Sequence, residues 1–264
     1  MLRDLVAWYP LAVALLAVRR LLYCGALRQR LPAILPDACA EEAGMCGRFV
    51  LFTPADVIAA EFQASPIPRL TARYNIAPSS TILMVREVGG HNILEPARWG
   101  VVPAWLRERA GASQLINARS ETAAEKPTFA AAFRQRRCIV PADGFYEWQK
   151  LDSRKQPFYF SKAEGGLLSL AGLWEAPQTQ GEPPCCVILT TDANELMRPV
   201  HNRMPVVLTR QARSIWLDTG ITDTDALMPL LAPASDGVLT KWPVGARIGR
   251  ASEEGSDLLS RVGR

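Results

Sequence analysis

Downstream of residue 45, apolar positions fall in short runs separated by turn-forming residues. Arg48 to Phe52 reads as a strand, and Thr53-Pro54 opens a helix behind it. Thr53 can cap, Pro54 suits the first helical position, and Asp56 complements the helix dipole. Ile82 to Val88 and Ile93 to Trp99 flank Gly89-Gly90, a hairpin signal. Further strand-like runs lie at Cys138 to Val140, Phe145 to Trp148, Pro157 to Phe160, Leu167 to Leu173, Cys186 to Thr190 and Met204 to Leu208. Short helices fit Thr128 to Phe133, Asn194 to Arg198, Gln211 to Leu217 and Thr224 to Met228. Many short strands with few helices predict an α+β fold: a single domain on a mainly antiparallel, barrel-like β-sheet with short flanking helices. The regular alternation of a parallel sheet is absent. The polar stretch after Ile248 reads as a loosely held tail.

Residues 1–44 follow another pattern. An apolar run, LVAWYPLAVALLAV, spans residues 5–18 between Arg3-Asp4 and Arg19-Arg20. As a helix it would reach roughly 21 Å, short of a hydrocarbon core of about 30 Å, and Pro10 interrupts it. No membrane association is expected. Ala38-Cys39-Ala40 offers the small residues of a secretory cleavage site, but Arg28, Arg30, Pro32 and Pro36 separate it from the apolar run. The preferred reading is an N-terminal extension over 1–44, either a leader or upstream sequence counted through a misplaced start. The working domain then covers 45–264, opening on Met45-Cys46.

Apolar residues make up 48% and charged residues 21% of the 264, which excludes a disordered or fibrous chain. A net charge of +4 permits contact with nucleic acid without arguing for it. The six cysteines are Cys24, Cys39, Cys46, Cys138, Cys185 and Cys186; none forms a CxxC pair, and the only histidines are His91 and His201. A structural zinc site needs clustered ligands, so neither a metal nor a cofactor is expected. A dense disulfide framework does not suit this length, which makes the cytoplasm the default compartment.

Several segments carry the chemistry: Met45-Cys46-Gly47-Arg48-Phe49, Tyr74-Asn75-Ile76-Ala77-Pro78, Arg98-Trp99-Gly100 and Asn117-Ala118-Arg119-Ser120-Glu121-Thr122. They continue with Arg136-Arg137-Cys138, Pro141 through Trp148, Ala171 through Glu175, and His201-Asn202-Arg203-Met204-Pro205. Any one is weak evidence, but all of them in this order are specific. Together the chain resembles the SOS response-associated peptidase family, also called abasic site processing proteins, from Met45 almost to the C-terminus.

A cysteine is most often a small buried core residue. Cys46 differs because removal of Met45 would leave it N-terminal, with an α-amine of pKa about 7.7–8 beside a thiol of pKa about 8.5. An abasic deoxyribose is partly an open-chain aldehyde. The amine can attack it to form a Schiff base, and the thiol can close on the same carbon to give a thiazolidine. Glu147 sits in Gly-Phe-Tyr-Glu-Trp, where apolar neighbours can raise a carboxyl pKa and suit it to proton transfer. His201 can exchange a proton near neutrality, whereas His91 lies beside the hairpin turn and reads as surface. The resemblance implies that Glu147 is catalytic, that His201 assists at the sugar, that Asn117 positions the nucleophile or sugar, and that Arg119 grips a phosphate. Arg48 and Arg203 are further candidates for backbone contact. Trp99 and Trp105 are candidates for stacking on bases, with core packing as the alternative. Asn202 departs from the family, whose members often carry an acidic residue there.

The function these residues imply is covalent capture of abasic sites in single-stranded DNA by a monomer, within a DNA-damage response. Cys46, His201 and Asn117 can also be written as a cysteine peptidase set that removes its own leader. A noncatalytic single-strand binder is the third possibility.

Overall fold

The computed structural model describes residues 47–103, 114–177 and 179–263. The 1–44 extension, Met45, Cys46 and Trp105 lie outside the described residues. The strands are β1 (Arg48–Leu51), β2 (Arg73–Ile76), β3 (Thr81–Val88), β4 (His91–Trp99), β5 (Asn117–Arg119) and β6 (Arg137–Ala142). They continue with β7 (Gly144–Lys150), β8 (Lys155–Lys162), β9 (Leu168–Glu175), β10 (Cys185–Asp192), β11 (Arg203–Pro205) and β12 (Leu239–Pro243). Helices are α1 (Ala55–Phe62), α2 (Ser120–Ala123), α3 (Ala130–Gln135), α4 (Arg210–Leu217) and α5 (Thr224–Leu227), with 3-10 turns at Met228–Leu231, Ala246–Gly249 and Ser256–Leu259.

The β3–β4 hairpin forms where the sequence placed it. Val88 pairs with His91, and Gly89 and Gly90 take φ of 59° and 85°, the left-handed pair that a two-residue turn of matching twist requires. From this hairpin the ladder runs β4–β3–β6–β9–β10, and β10 returns to β4. Five strands therefore close on themselves, and only the β10–β4 join is parallel. Closure removes the exposed edges that an open sheet must protect. β10 then outruns its neighbours: residues 190–192 pair with β11, and residues 188–190 run parallel to β5.

A second, antiparallel sheet has the order β12–β8–β7–β1–β2. Alternation along β1 and β7 sends Phe49, Leu51 and Phe145 into the main core, where Phe145 stacks on Phe160 at 5.0 Å. Val50, Tyr146 and Tyr159 face the other way and form a smaller cluster with Val244, Ile248 and Leu258. This sheet is thus apolar on both faces, and the C-terminal segment covers the outer one.

That covering corrects the expectation of a loose tail. Asn75 is fully buried; its amide donates to the carbonyls of Arg250 (2.9 Å) and Glu253 (3.0 Å), and its carbonyl accepts from Arg48 Nη1 (3.0 Å). Trp242 Nε1 donates to Leu259 O at 2.8 Å. Thr53 does not cap α1 either: its hydroxyl and amide donate to Asp143 (2.5 and 2.9 Å), and Pro54 occupies the cap position. The residues expected as a helix at 194–198 form consecutive turns, with the Asn194 side chain accepting from Met197 N at 3.0 Å. The strand expected over 204–208 ends at Pro205, and only Val207 bridges onward, to Leu170.

Gly144 shows how closely β7 and β8 approach. A Cβ there would lie 2.3 Å from Phe160 O and 2.5 Å from the Tyr159 ring. The backbone carbonyl belongs to the paired strand and cannot swing away. Gly144→Ala is expected to lower stability by about 3 kcal/mol or more, read as a shift in the urea midpoint at unchanged m-value. A neutral result would show that β7 and β8 can separate there.

Candidate functional site

Glu147 is the buried carboxylate at the centre of the candidate site. It lies on β7 with 1% exposure, opposite Phe158, and its Oε1 accepts from Trp148 N at 3.2 Å. Period-two alternation puts it on the same face as Phe145, toward the main core. A carboxyl in such a place is expensive to charge unless hydrogen bonds or a cation compensate, and groups of this kind concentrate at working sites.

Three other segments meet this strand. The β1–β7 ladder pairs Arg48 with Tyr146, so one further step toward the N-terminus carries Gly47 to the level of Glu147. Cys46 is joined to Gly47 by a single peptide bond. A Cβ on Gly47 would touch Ile116 Cδ1 at 4.0 Å, and Ile116 leads directly into Asn117 at the start of β5. Gln149 shares the Glu147 face of β7 and donates to Pro199 O at 2.9 Å, tethering the turn that ends at His201. The start of the domain, β5 and the His201 turn are thereby brought to one strand.

His201 is half-buried. Its Nδ1 accepts from Arg203 N at 3.0 Å, so the neutral ring carries its proton on Nε2. Burial holds its pKa below the usual histidine value, and the Arg203 charge reinforces the shift.

Arg203 is the residue whose expected role changes most. Its guanidinium is 9% exposed and forks onto Glu121 (2.7 and 2.7 Å), with further bonds to Asp192 (2.6 Å) and Thr190 O (2.7 Å). Burial alone would raise the Glu121 carboxyl, but the bonds and charge of Arg203 outweigh it and hold that pKa below the ordinary range. Both terminal nitrogens are committed to the protein, which makes Arg203 an internal strut. It ties α2, one turn beyond Asn117, to the strand that follows His201.

Trp99 takes the core-packing alternative. It is fully buried, packs edge-on against Phe49 at 5.2 Å, and donates from Nε1 to Ile116 O at 2.9 Å. It offers no face to a base; instead it holds the residue before Asn117. Arg48 donates to Ile248 O at 2.7 Å as well as to Asn75. Arg119 is exposed on β5, and His91 is exposed as expected. The sequence reading passed over Gln149, Asn75 and Glu121 as individual residues. The latter two lie in segments it singled out, whereas Gln149 had no signal beyond its spacing from Glu147.

Among the described residues, no group of three or more His, Cys, Asp or Glu side chains could hold a metal ion, and no helix is long and apolar enough to cross a membrane. The model of the SOS response associated peptidase (SRAP) family matches residues 45–251. The chain belongs to this family. Among SRAP relatives, the abasic site processing protein YoqW of Bacillus subtilis is 38% identical over 221 residues, covering 81% of this chain and 99% of that protein. The abasic site processing protein YedK of Escherichia coli is 31% identical over 228 residues, covering 83% and 100%. A crystal structure of a Bacteroides thetaiotaomicron protein shares the fold, with a TM-score of 0.72 at 22% identity over 82% of this chain and all of that one. A Bordetella bronchiseptica protein matches with a TM-score of 0.65 at 26% identity, over 76% of this chain and 100% of that one.

The lowered pKa of His201 has a definite sign for stability. Above about pH 6.5 the imidazole is neutral in both folded and unfolded chains and its effect on stability is level. As pH falls below that value the unfolded chain takes up the proton first, and stability is lost until the folded pKa is passed. His201→Gln should therefore flatten the fall in unfolding free energy between pH 7 and 5, roughly the window of an ordinary imidazole. Parallel urea profiles for the two proteins would refute the burial argument.

Proposed function

We propose that this protein captures abasic sites in single-stranded DNA through Cys46, once that residue is N-terminal. The observation that carries the reading is the burial of Glu147 on the strand paired with the domain's first residues. Family membership and relatives named as abasic site processing proteins support it. The Cys46 α-amine adds to the aldehyde carbon of the opened sugar, giving a carbinolamine. Loss of its hydroxyl as water leaves an imine, and the thiol adds to the imine carbon while its proton passes to the nitrogen. The product is a five-membered thiazolidine and the sum is condensation with loss of one water. Glu147 supplies the proton that lets the hydroxyl leave, an effect typically worth about 10²–10⁴-fold. His201, with its proton on Nε2, donates toward the sugar. Asn117 orients the sugar or nucleophile, and Arg119 holds a flanking phosphate.

The reading requires a free amine on Cys46, and hence that residues 1–45 be absent from the working protein. The family match beginning at residue 45 supports a domain start there. Protein isolated from its native host is expected to begin at Cys46 by N-terminal mass mapping. A retained extension would overturn that expectation.

The decisive experiment mixes protein beginning at Cys46 with an oligonucleotide bearing one abasic site and looks for a shifted band on a denaturing gel. The band should form with free Cys46, vanish with Cys46→Ala or an acetylated amine, and form about 10²–10⁴-fold more slowly with Glu147→Gln. Thiol-dependent peptide cleavage that survives amine blocking, without any band, would favour the peptidase. Salt-sensitive binding that survives Cys46→Ala, without a band, would favour a simple binder. Arg119→Ala should weaken binding for all sequences and lower the slope of log K against log salt by about 0.7. Arg203→Met should leave that slope unchanged and reduce stability, by about 1.5–3 kcal/mol if its charged hydrogen bonds behave ordinarily.

A further inference from the structure

We propose that a second cavity, separate from Glu147, binds a small amphipathic carboxylate whose apolar body carries a hydrogen-bonding group at its inner end. The cavity measures about 650 Å³ and opens between the end of β8, the start of β9, the 207–209 segment, α4 and the 229–238 stretch. Ligand sites commonly fall between about 300 and 1,000 Å³. None of Gly47, Asn117, Glu147 or His201 lines it. Along β8, Lys162 at its rim stands four residues beyond Phe158, the partner of Glu147, which is about 13 Å of strand.

Three features specify the ligand. The walls are largely apolar, with Leu168, Leu208, Leu230 and Val238 among them, so the ligand body is apolar. Within them is Ser169, 1% exposed, whose hydroxyl has no hydrogen-bond partner while its backbone carbonyl accepts from Leu208 N at 2.9 Å. A buried hydroxyl lacking a partner is unfavourable, and a donor or acceptor on the ligand would relieve it. The charged lining consists of Lys162, Arg210, Arg213 and Glu61. Arg213 and Glu61 neutralise one another at 2.6 Å, which leaves the positive charges of Lys162 and Arg210 in excess. Arg210 is exposed and opens α4, an eight-residue helix with no acidic residue in its first turn, so the positive end of the helix adds to the same field. The anion belongs at this outer rim, and the polar group of the body at Ser169.

A hydroxyaryl carboxylate meets all three requirements. The test titrates 3-(4-hydroxyphenyl)propionate into the full chain by calorimetry, beside 3-phenylpropionate and the amide 3-(4-hydroxyphenyl)propionamide. Saturable binding is expected, weakened about fivefold or more by loss of the hydroxyl and about tenfold or more by loss of the charge. Lys162→Glu with Arg210→Glu should weaken the acid about tenfold or more while leaving the thermal transition and the amide's affinity unchanged. Ser169→Ala should erase the preference for the hydroxylated acid over 3-phenylpropionate. Absence of saturable binding, or binding indifferent to the charge-reversed variant, would overturn the proposal. Abasic-site crosslinking plays no part in the readout, so the two proposals fail independently.

Discussion

The arrangement depends on a single strand being paired along both edges. β10 closes the barrel by lying between β9 and β4, and then extends past them to hold β11 on one side and β5 on the other. That extension is what places Asn117 and the chain leading out of His201 beside one another, although 84 residues separate them. Gly172, the β9 partner of both Cys138 and Ile188, lets the ring turn tightly there: a Cβ would meet Cys138 Sγ and Val187 O, each at 2.9 Å. A closed ring of hydrogen bonds resists the sliding that would otherwise shift the loops at its ends.

On this frame, three buried charged side chains are met by the backbone or by an opposite charge. Arg137 is wholly buried, and its guanidinium donates to the carbonyls of Trp216, Phe133, Arg134 and Asp218. It locks α3 and α4 to β6. Asp143 gathers the turn after β1, and Arg203 gathers α2 and β10. Each of these has a structural explanation in its partners. Glu147 is buried as well, on the strand whose ladder with β1 begins at Arg48.

The sequence showed most of this fold because its signals were local. Gly89-Gly90 between two alternating runs can form little except a tight hairpin, and the apolar runs of β6 to β10 were long enough to read. What escaped notice depended on distant partners. β2, β5 and β12 are three to five residues long and exist because another strand supplies their hydrogen bonds. Thr53 has the side chain of a helix cap, but Asp143, 90 residues away, competes for it and wins. The same distinction governed the site. Asn117, Glu147 and His201 could be picked out by their surrounding residues. No local pattern could tell that Arg203 faces Glu121 rather than solvent, or that Trp99 fills the core under Ile116.

The C-terminal cover has a consequence for when the protein becomes competent. Arg48, two residues after Cys46, is seated by the carbonyl of Ile248 and by Asn75, which Arg250 and Glu253 hold in turn. Those carbonyls belong to residues synthesised after all twelve strands. A chain still growing on the ribosome therefore has its first strand made but its first arginine unseated. The fold thus acts as a check on completeness: the beginning of the domain is finished only by its end, and a prematurely terminated chain leaves Arg48 without its seat.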